Sequence, residues 1–402
     1  MIDHRKLGRE LDLFDSDPLI GAGLPFWLPA GAAARYEVES YLRELERRAG
    51  YQHVYSPPIG KKELYQRSGH LSHFADDMFP PMSLSADDEV ILRPSMCPHH
   101  ALIFKSRQHS YRELPLRIAE LGGQYRAERS GVLGGLSRVR AMWLNDAHNF
   151  CALDQVGDEV AEVLALIQRA HADLGVGPAR FRLSLRGEQS AGDDQIWERA
   201  SELLRKALAE AGVSFYEAPG EAAFYGPKID VQIVDPAGRE FTLSTIQVDF
   251  HQPEQFDLEY VDADGSRSRP VMVHRSLAGT MERLFAHLIE VHGGAFPVWY
   301  APVQVAIVPV ASDFEPAARA FGRQLIEAGL RAEVMADGSM GGRIRQAAVR
   351  KVPYVAVLGA REVASGSVSL RLRDGQQLDA MPIGDAISLV RRIAESRSHE
   401  LV

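Results

Sequence analysis

Two rhythms of apolar residues run along the chain, and the place where one gives way to the other divides it. "AARYEVESYLRELERRAG" reads as an amphipathic helix closed by Gly50 and followed by the strand-like "YQHVYSPPI". Near Asp154 a second helix begins, with Val156, Val160, Val163, Ile167, Ala170 and Leu174 at helical spacing. "PKIDVQIV" and "REFTLSTIQVDF" flank the turn "DPAG" and predict a hairpin. A further helix, "GTMERLFAHLIEVHGG", ends in a glycine pair.

After "FPVWYAP", strands and helices alternate. The strands are "VQVAIVPV", "RAEVMA" and "YVAVLG", and the helices are "PAARAFGRQLIEAG" and "GGRIRQAAVRKV". A hairpin, "VSLRLRDGQQLDA", and a last helix, "DAISLVRRIAES", complete the pattern. The expectation is an α+β chain: an antiparallel sheet with helices over residues 1–299, then an α/β domain over 300–402.

Several strands carry polar residues where a core strand should not. Read as a strand, "RVRAMWLNDAHNFC" places Arg138, Arg140, Met142, Leu144, Asp146 and His148 on one face. In "YRAE", Arg126 and Glu128 share a face. Lys228, Asp230 and Gln232 oppose Ile229, Val231 and Ile233, while Thr245, Gln247 and Asp249 oppose Ile246, Val248 and Phe250. One such strand is the wet surface of an antiparallel sheet. Four of them, all apolar behind, predict a polar sheet face lining a substrate cleft, and arginines there suit a polyphosphate.

Composition narrows the classes. At 402 residues with net charge −9, the chain is not a bulk polyanion binder, though a local basic site remains compatible. Two cysteines make no disulfide framework, and no apolar run reaches a membrane span, so a reducing cytoplasm is expected. In "RPSMCPHH", Cys97 stands beside His99 and His100, a set suited to zinc. By spacing alone, a small buried cysteine and two surface histidines explain that stretch better. There is no Walker-type phosphate loop and no Ser/His/Asp pattern.

In order along the chain, "LRPSMCPHH", "RIAELGGQYRAERSGVLGGLSRVR", "NDAHNFC", "AFYGPKID", "TIQVDF" and "VMVHRSLAGTMERL" resemble the threonyl-tRNA synthetases. These are class II enzymes with a six- to seven-stranded antiparallel catalytic sheet, and the likeness runs over essentially the whole chain. It implies motif 1 at the "AARYEVES" helix and the strand ending at Pro57, which the family uses to form a homodimer. Motif 2 would run from "YRAE" to "RVR", and motif 3 over Gly279–Leu284.

The resemblance further implies one zinc ion per subunit on Cys97, His148 and His274, and magnesium bound with ATP. Arg126 would contact the α-phosphate, Glu128 the adenine amino group, Arg283 the γ-phosphate, with Arg138 and Gln247 also near the nucleotide. Arg126, Lys228 and Arg283 would serve catalysis, and Asp146, Tyr225 and Thr245 would bind the amino acid. The implied reaction joins L-threonine to ATP as an adenylate, then to the 3′ end of tRNA(Thr). A metal gripping amino group and hydroxyl rejects valine; serine lacks only a methyl, a difference of roughly 1–3 kcal/mol. Read from Met1, the chain starts at the catalytic domain, so no cis editing and appreciable seryl-tRNA formation are expected. Lys351, Glu362 and Arg371 would read anticodon bases.

Some positions depart from the family pattern. Leu144 replaces a glutamine, Ser95 and Met96 a Met-Asn pair, and Thr242 and Leu243 a Gln-Cys pair. Asp337 and Ser339 replace an asparagine and a lysine in the anticodon domain. Two alternatives therefore stand beside the synthetase. One is a duplicate, either insulated from an inhibitor or activating another amino acid for biosynthesis; the other is a non-catalytic tRNA-binding regulator.

Overall fold

Alternation and helical spacing resolve into the elements they predict, with end shifts that have local causes. The structure is a computed structural model describing the whole chain apart from residues 1, 86–87, 188–189, 191–192 and 237. Helix α1 covers His4–Glu10 and α2 covers Pro29–Arg48. The second begins at Pro29 rather than Ala33, because proline at the first helical position has a preset φ and lacks an N–H that would go unpaired. Helix α3 is Cys97–Lys105, α4 Val156–Leu174, α5 Asp194–Glu210 and α6 Met281–Val291.

Eight strands form the main sheet: β1 (Gln52–His53), β2 (Leu116–Tyr125), β3 (Ala141–Cys151), β4 (Ala179–Leu185), β5 (Phe215–Pro219), β6 (Lys228–Val234), β7 (Glu240–Asp249) and β8 (Val271–Ser276). They lie in the order β5-β4-β6-β7-β8-β3-β2-β1. The six middle strands pair antiparallel. The edge pairs β4–β5 and β1–β2 are parallel, so the sheet is wider than expected and antiparallel only through its middle. The expected hairpin is β6–β7; of its turn, Gly238 N donates to Asp235 O at 2.9 Å, and Ala237 lies outside the described residues.

The sheet's two faces are chemically distinct. Ile229, Val231, Ile233, Ile246 and Val248 enter one apolar core with Val156, Val160, Val163, Ile167, Ala170 and Leu174 of α4. That stripe repeats every three or four residues, as a helix lying on a sheet requires. The opposite face keeps polar side chains in rows set by register. Ser184, Lys228, Gln247, His274 and His148 are successive partners across five strands.

Two expectations need correction. The strand expected from Arg138 begins at Ala141, and Arg126 and Glu128 lie beyond the end of β2. The main chain leaves the ladder because Arg140 N–H donates to Gly23 O at 2.8 Å, while its guanidinium donates to Glu128 O at 2.9 Å and Ala22 O at 3.1 Å. The arginines therefore sit on a loop across the end of the sheet, not on a strand face.

After this sheet come β9 (Val305–Pro309), α7 (Glu315–Glu327), β10 (Ala332–Val334), α8 (Met340–Val349), β11 (Tyr354–Leu358), α9 (Ala360–Ser365), β12 (Ser367–Leu372), β13 (Met381–Pro382) and α10 (Ile383–Ser396). The second sheet runs β10-β9-β11-β12-β13. The expected hairpin closes by one bridge, Arg371 to Gln377, and the paired return strand comes later, at Met381. Around residue 300 the two cores interleave: Val298 packs in the second, Trp299 and Tyr300 in the first. Glu37 and Arg331 at 2.6 Å, and Arg397 over the Tyr41 ring at 4.4 Å, tie the parts together.

A charged pair is sealed between α2 and the sheet. Glu46 Oε1 accepts from Arg275 Nη1 at 2.7 Å and Asn145 Nδ2 at 2.8 Å, and both charged residues are 1 % exposed. Burial works to raise the Glu46 carboxyl, but Arg275, His53 and Asn145 together hold it below its ordinary range. The Arg275 guanidinium also lies 4.2 Å from the Tyr51 ring centre. Removing one partner strands the other in a dry core. Glu46→Ala is expected to cost about 3–5 kcal/mol; urea denaturation checks this, and a loss below about 1 kcal/mol would show that the pair is dispensable.

Candidate active site and metal centre

Three buried candidate ligands from three distant segments meet on the polar face. Cys97 opens α3, His148 lies in the middle of β3, and His274 sits opposite it on β8. One ligand atom from each lies within 4.8 Å of the others, and all three residues are buried. Burial pushes the Cys97 thiol up and the His148 imidazole well below its usual value, so the metal-free set is neutral on both. A thiol of that kind ionises when a metal displaces its proton.

Each imidazole is aimed by an outer carboxylate. His274 Nε2 donates to Asp249 Oδ2 at 2.7 Å, and Asp249 Oδ1 accepts from the backbone of His251 and Gln252. That leaves the His274 Nδ1 lone pair for a ligand. His100 Nε2 donates to Glu120 Oε2 at 3.2 Å, so its Nδ1 accepts from His148 Nδ1 at 2.7 Å. The His148 Nε2 lone pair is then free as well. Such carboxylate–histidine pairs fix the tautomer and ring orientation of a metal-ligating histidine. Burial would raise Glu120, but its contacts to His100, Ser56 and Arg93 hold it at about 2.

The donor set fits a divalent ion: one sulfur and two nitrogens, as in catalytic zinc sites that keep a fourth position open. His99 and His100, the neighbours that spacing first brought beside Cys97, are not ligands. His100 acts one step out, and the His99 ring packs towards Tyr65. The other cluster, Asp3, His4 and Glu290, is structural. Both His4 nitrogens are spent, on Glu290 Oε1 at 2.7 Å and Leu136 N–H at 3.2 Å.

Around the ligands stand residues the sequence singled out. Asp146 Oδ2 lies 4.0 Å from His148 Nε2, and burial pushes its carboxyl up to about 6. The Tyr225 ring stacks on His274 at 4.9 Å, and its hydroxyl donates to Gln247 Oε1. Gln247 Nε2 donates to Thr245 Oγ1 at 3.4 Å. Lys228 pairs with the fully buried Asp230 at 3.2 Å, and Asp230 also takes Arg182 at 2.9 Å and Ser184 Oγ at 2.6 Å.

Next to this pocket three guanidiniums, of Arg126, Arg138 and Arg283, lie close enough to act on one another, with one carboxylate, Glu128, among them. Arg138 donates to Glu128 Oε2 at 2.9 Å. Arg283 donates to Ser137 O at 3.2 Å, and its guanidinium is held below its ordinary range by burial, then by Arg126 and Arg138. Arg126 is exposed and has no side-chain ion pair among the described residues. Glu128 and Arg138 line one wall of a cavity of 560 Å³ beside them, with His73, Phe74 and Asp77. Excess positive charge held by the fold at a cleft mouth is what a polyphosphate requires.

Residues outside the sequence reading complete the pocket. His70 opens a four-residue helix and lies 3.8 Å from Cys97 Sγ. Burial pushes it down to about 3. No periodicity marks it, because a single turn of helix has none. Asp249 was visible in the polar stripe, but nothing local shows that it faces His274. Of the departures, Thr242 and Leu144 lie at the site's end of the sheet: Thr242 O accepts from Arg283 at 3.4 Å, and Leu144 bridges Thr280. Leu243 instead packs in the rear core, its carbonyl so close to Gly279 (φ 66°) that a Cβ there would lie 2.5 Å away.

The second sheet does not gather Lys351, Glu362 and Arg371 into one cluster. Lys351 precedes β11, beside a crevice lined by Leu11 and Phe296. Glu362 follows β11, and its carboxylate accepts from Gly359 N–H at 2.9 Å as the cap of α9. Arg371 is exposed on β12, opposite Val355.

A largely antiparallel sheet of this build, with an arginine-rich cleft on its polar face, defines a class, and comparison with known proteins agrees. The family described as tRNA synthetase class II core domain (G, H, P, S and T) matches residues 82–292, and an anticodon binding domain matches residues 304–393. The chain belongs to the threonyl-tRNA synthetase family of class II synthetases. It is 48% identical over 399 residues to a threonine–tRNA ligase of Geobacillus sp. (strain WCH70), covering 97% of this chain and 61% of that protein. With the threonine–tRNA ligase of Lactiplantibacillus plantarum it shares 49% identity over 375 residues, 92% of this chain and 57% of that protein. It thus spans about three fifths of the length of these curated relatives. A solved structure titled as the RNA binding domain of threonyl-tRNA synthetase from Cryptosporidium parvum superposes with a TM-score of 0.93. The two are 32% identical, over 97% of this chain and 98% of that one. A prolyl-tRNA synthetase from the same organism, at 16% identity and TM-score 0.74 over 98% of this chain and 76% of that one, shares the fold. Among the described residues no helix is long and apolar enough to cross a membrane.

If Asp249 aims His274, weakening its charge should loosen any bound divalent metal. Asp249→Asn is expected to lower metal affinity about 10- to 100-fold, measured by competition with a chromophoric chelator. Equal affinity in the two proteins would mean that His274 needs no outer carboxylate.

Proposed function

We propose that the chain activates L-threonine with ATP and magnesium as threonyl-adenylate and transfers the threonyl group to tRNA(Thr). The observation that carries this is the juxtaposition of Cys97, His148 and His274 with the Arg126, Arg138 and Arg283 guanidiniums. Cys97, His148 and His274 would hold zinc, which supplies a Lewis-acid position selective for an amino acid bearing both an amino group and a β-hydroxyl. Asp146 accepts from the polar groups of the bound amino acid, and Tyr225, Thr245 and Gln247 bound the pocket beside it. Arg126 meets the α-phosphate and stabilises charge developing there as the carboxylate attacks, while Arg283 and Arg138 neutralise the outgoing pyrophosphate. For the nucleotide to reach Glu128, Arg138 exchanges that carboxylate for phosphate. Lys228, charge-balanced by Asp230, completes the cationic wall.

The partition into 1–299 and 300–402 assigns chemistry to the first part and anticodon contact, through Lys351, Glu362 and Arg371, to the second. A homodimer through α2 is part of the same proposal, supported by the exposure of Tyr36 (68 %) and Tyr55 (81 %) on and after that helix. A cytoplasmic setting accords with two free buried cysteines. A second reading, activation of a different amino acid, is favoured by one specific feature: Ser95 stands within 3.2 Å of Cys97 Sγ where the family pattern has methionine.

Pyrophosphate exchange across a panel of amino acids, with and without tRNA, separates these readings. Threonine-dependent exchange and charging are expected. Exchange strongest with another amino acid would replace the substrate and leave the chemistry standing, and no exchange with any would end the enzymatic reading. Within the active protein, Arg126→Ala is expected to lower the exchange rate about 100- to 1,000-fold, as loss of a transition-state donor does.

A further inference from the structure

Ser95 has a more definite task than its place in the pocket wall suggests. Its Oγ lies 3.2 Å from Cys97 Sγ and 2.8 Å from His70 Nε2. On the far side of the ring, His70 Nδ1 lies 2.8 Å from Ser68 Oγ. Ser68, His70 and Cys97 are all buried, at 0 %, 4 % and 3 % exposure, and Ser95 is half-buried between them.

With a metal-bound thiolate at Cys97, the shortest contacts favour one direction for this chain. A metal-bound thiolate has no proton and only accepts. The Ser95 hydroxyl must therefore donate to sulfur, and its oxygen is left to accept from His70 Nε2–H. A neutral ring with its proton on Nε2 carries a lone pair on Nδ1, which accepts the Ser68 hydroxyl. The Ser68 hydroxyl has a second acceptor in Tyr65 O, but at 3.4 Å it is the longer of its two contacts.

We propose that Ser95 is a positioning residue of the metal centre, donating its hydroxyl hydrogen to the Cys97 thiolate and held in that orientation by His70. This rests on the reading that Cys97, His148 and His274 bind a divalent ion. The outer partners then act in opposite senses. The Glu120–His100 pair and Asp249 push electron density into the imidazoles, whereas Ser95 draws it from the sulfur. A thiolate that donates less leaves the ion a stronger Lewis acid at its open position.

Cobalt tests this without reference to catalysis, because the energy of its thiolate charge-transfer band follows the sulfur lone pairs. In Ser95→Ala the band is expected to move to lower energy, and cobalt and zinc affinities to fall about 10-fold. Ser95→Thr keeps the hydroxyl and should restore both. A band position and affinity in Ser95→Ala equal to those of the parent protein would remove the proposed role and leave the metal site intact. If the parent protein takes up cobalt without any thiolate band, the metal reading fails too, and the proposal with it.

Discussion

One strand register holds the chemistry of this molecule: His274 of β8 opposite His148 of β3. Side chains alternate between faces, so a slip of one residue would send an imidazole into the apolar core behind the sheet. The same register carries Gln247, Lys228 and Ser184 into the row beside the two histidines. What opposes slippage lies on the other face. Arg275, next along β8, turns away from the site to Glu46 of α2 and lies over Tyr51, and Asn145 of β3 joins the same carboxylate. A buried ion pair adds little net stability over apolar packing, but it is costly to misplace. Here it constrains where β3, β8 and α2 sit relative to one another.

The front of the sheet carries the consequence. Burial pushes the Cys97 thiol up and the His148 imidazole down, so neither of these two favours its charged form until a cation arrives. Its geometry is nonetheless set in advance, since Asp249, His100 with Glu120, and Ser95 with His70 each hold one ligand. Preorganised ligands lose little further freedom on binding. Beside them, Arg138 pairs with Glu128 while Arg126 and Arg283 have no carboxylate partner among the described residues, so the fold keeps unbalanced positive charge at the mouth of the cleft. The two devices are complementary: one is a buried set of sulfur and nitrogen donors, the other a cationic mouth, and under the proposed function they would take the amino acid and the polyphosphate respectively.

The chain's rhythms foretold α2, α4, α6, the β6–β7 hairpin and the alternating C-terminal part, because their apolar residues recur at the spacing of a helix or a strand between turn residues. The polar stripes on β3, β6 and β7 were legible for the same reason. Expectation failed where tertiary contacts override local pattern. Arg126, Glu128, Arg138 and Arg140 left the strands because Arg140 binds carbonyls of residues 22 and 128. The parallel edge pairs were out of reach, since strand direction at an edge depends on how distant segments arrive.

For the site, residue types and spacing determined that a cleft would be polar, rich in arginine and backed by an apolar core. They could not choose between His99, His100 and more distant histidines as companions of Cys97, and the likeness to known synthetases supplied the choice that register then made spatial. The outer partners, Asp249, Glu120, His100, Ser95 and His70, were decided by the tertiary structure alone. Periodicity reports which face of an element is buried, a one-body property of each residue. Which buried polar group meets which is a property of pairs far apart in the chain, and only packing sets it.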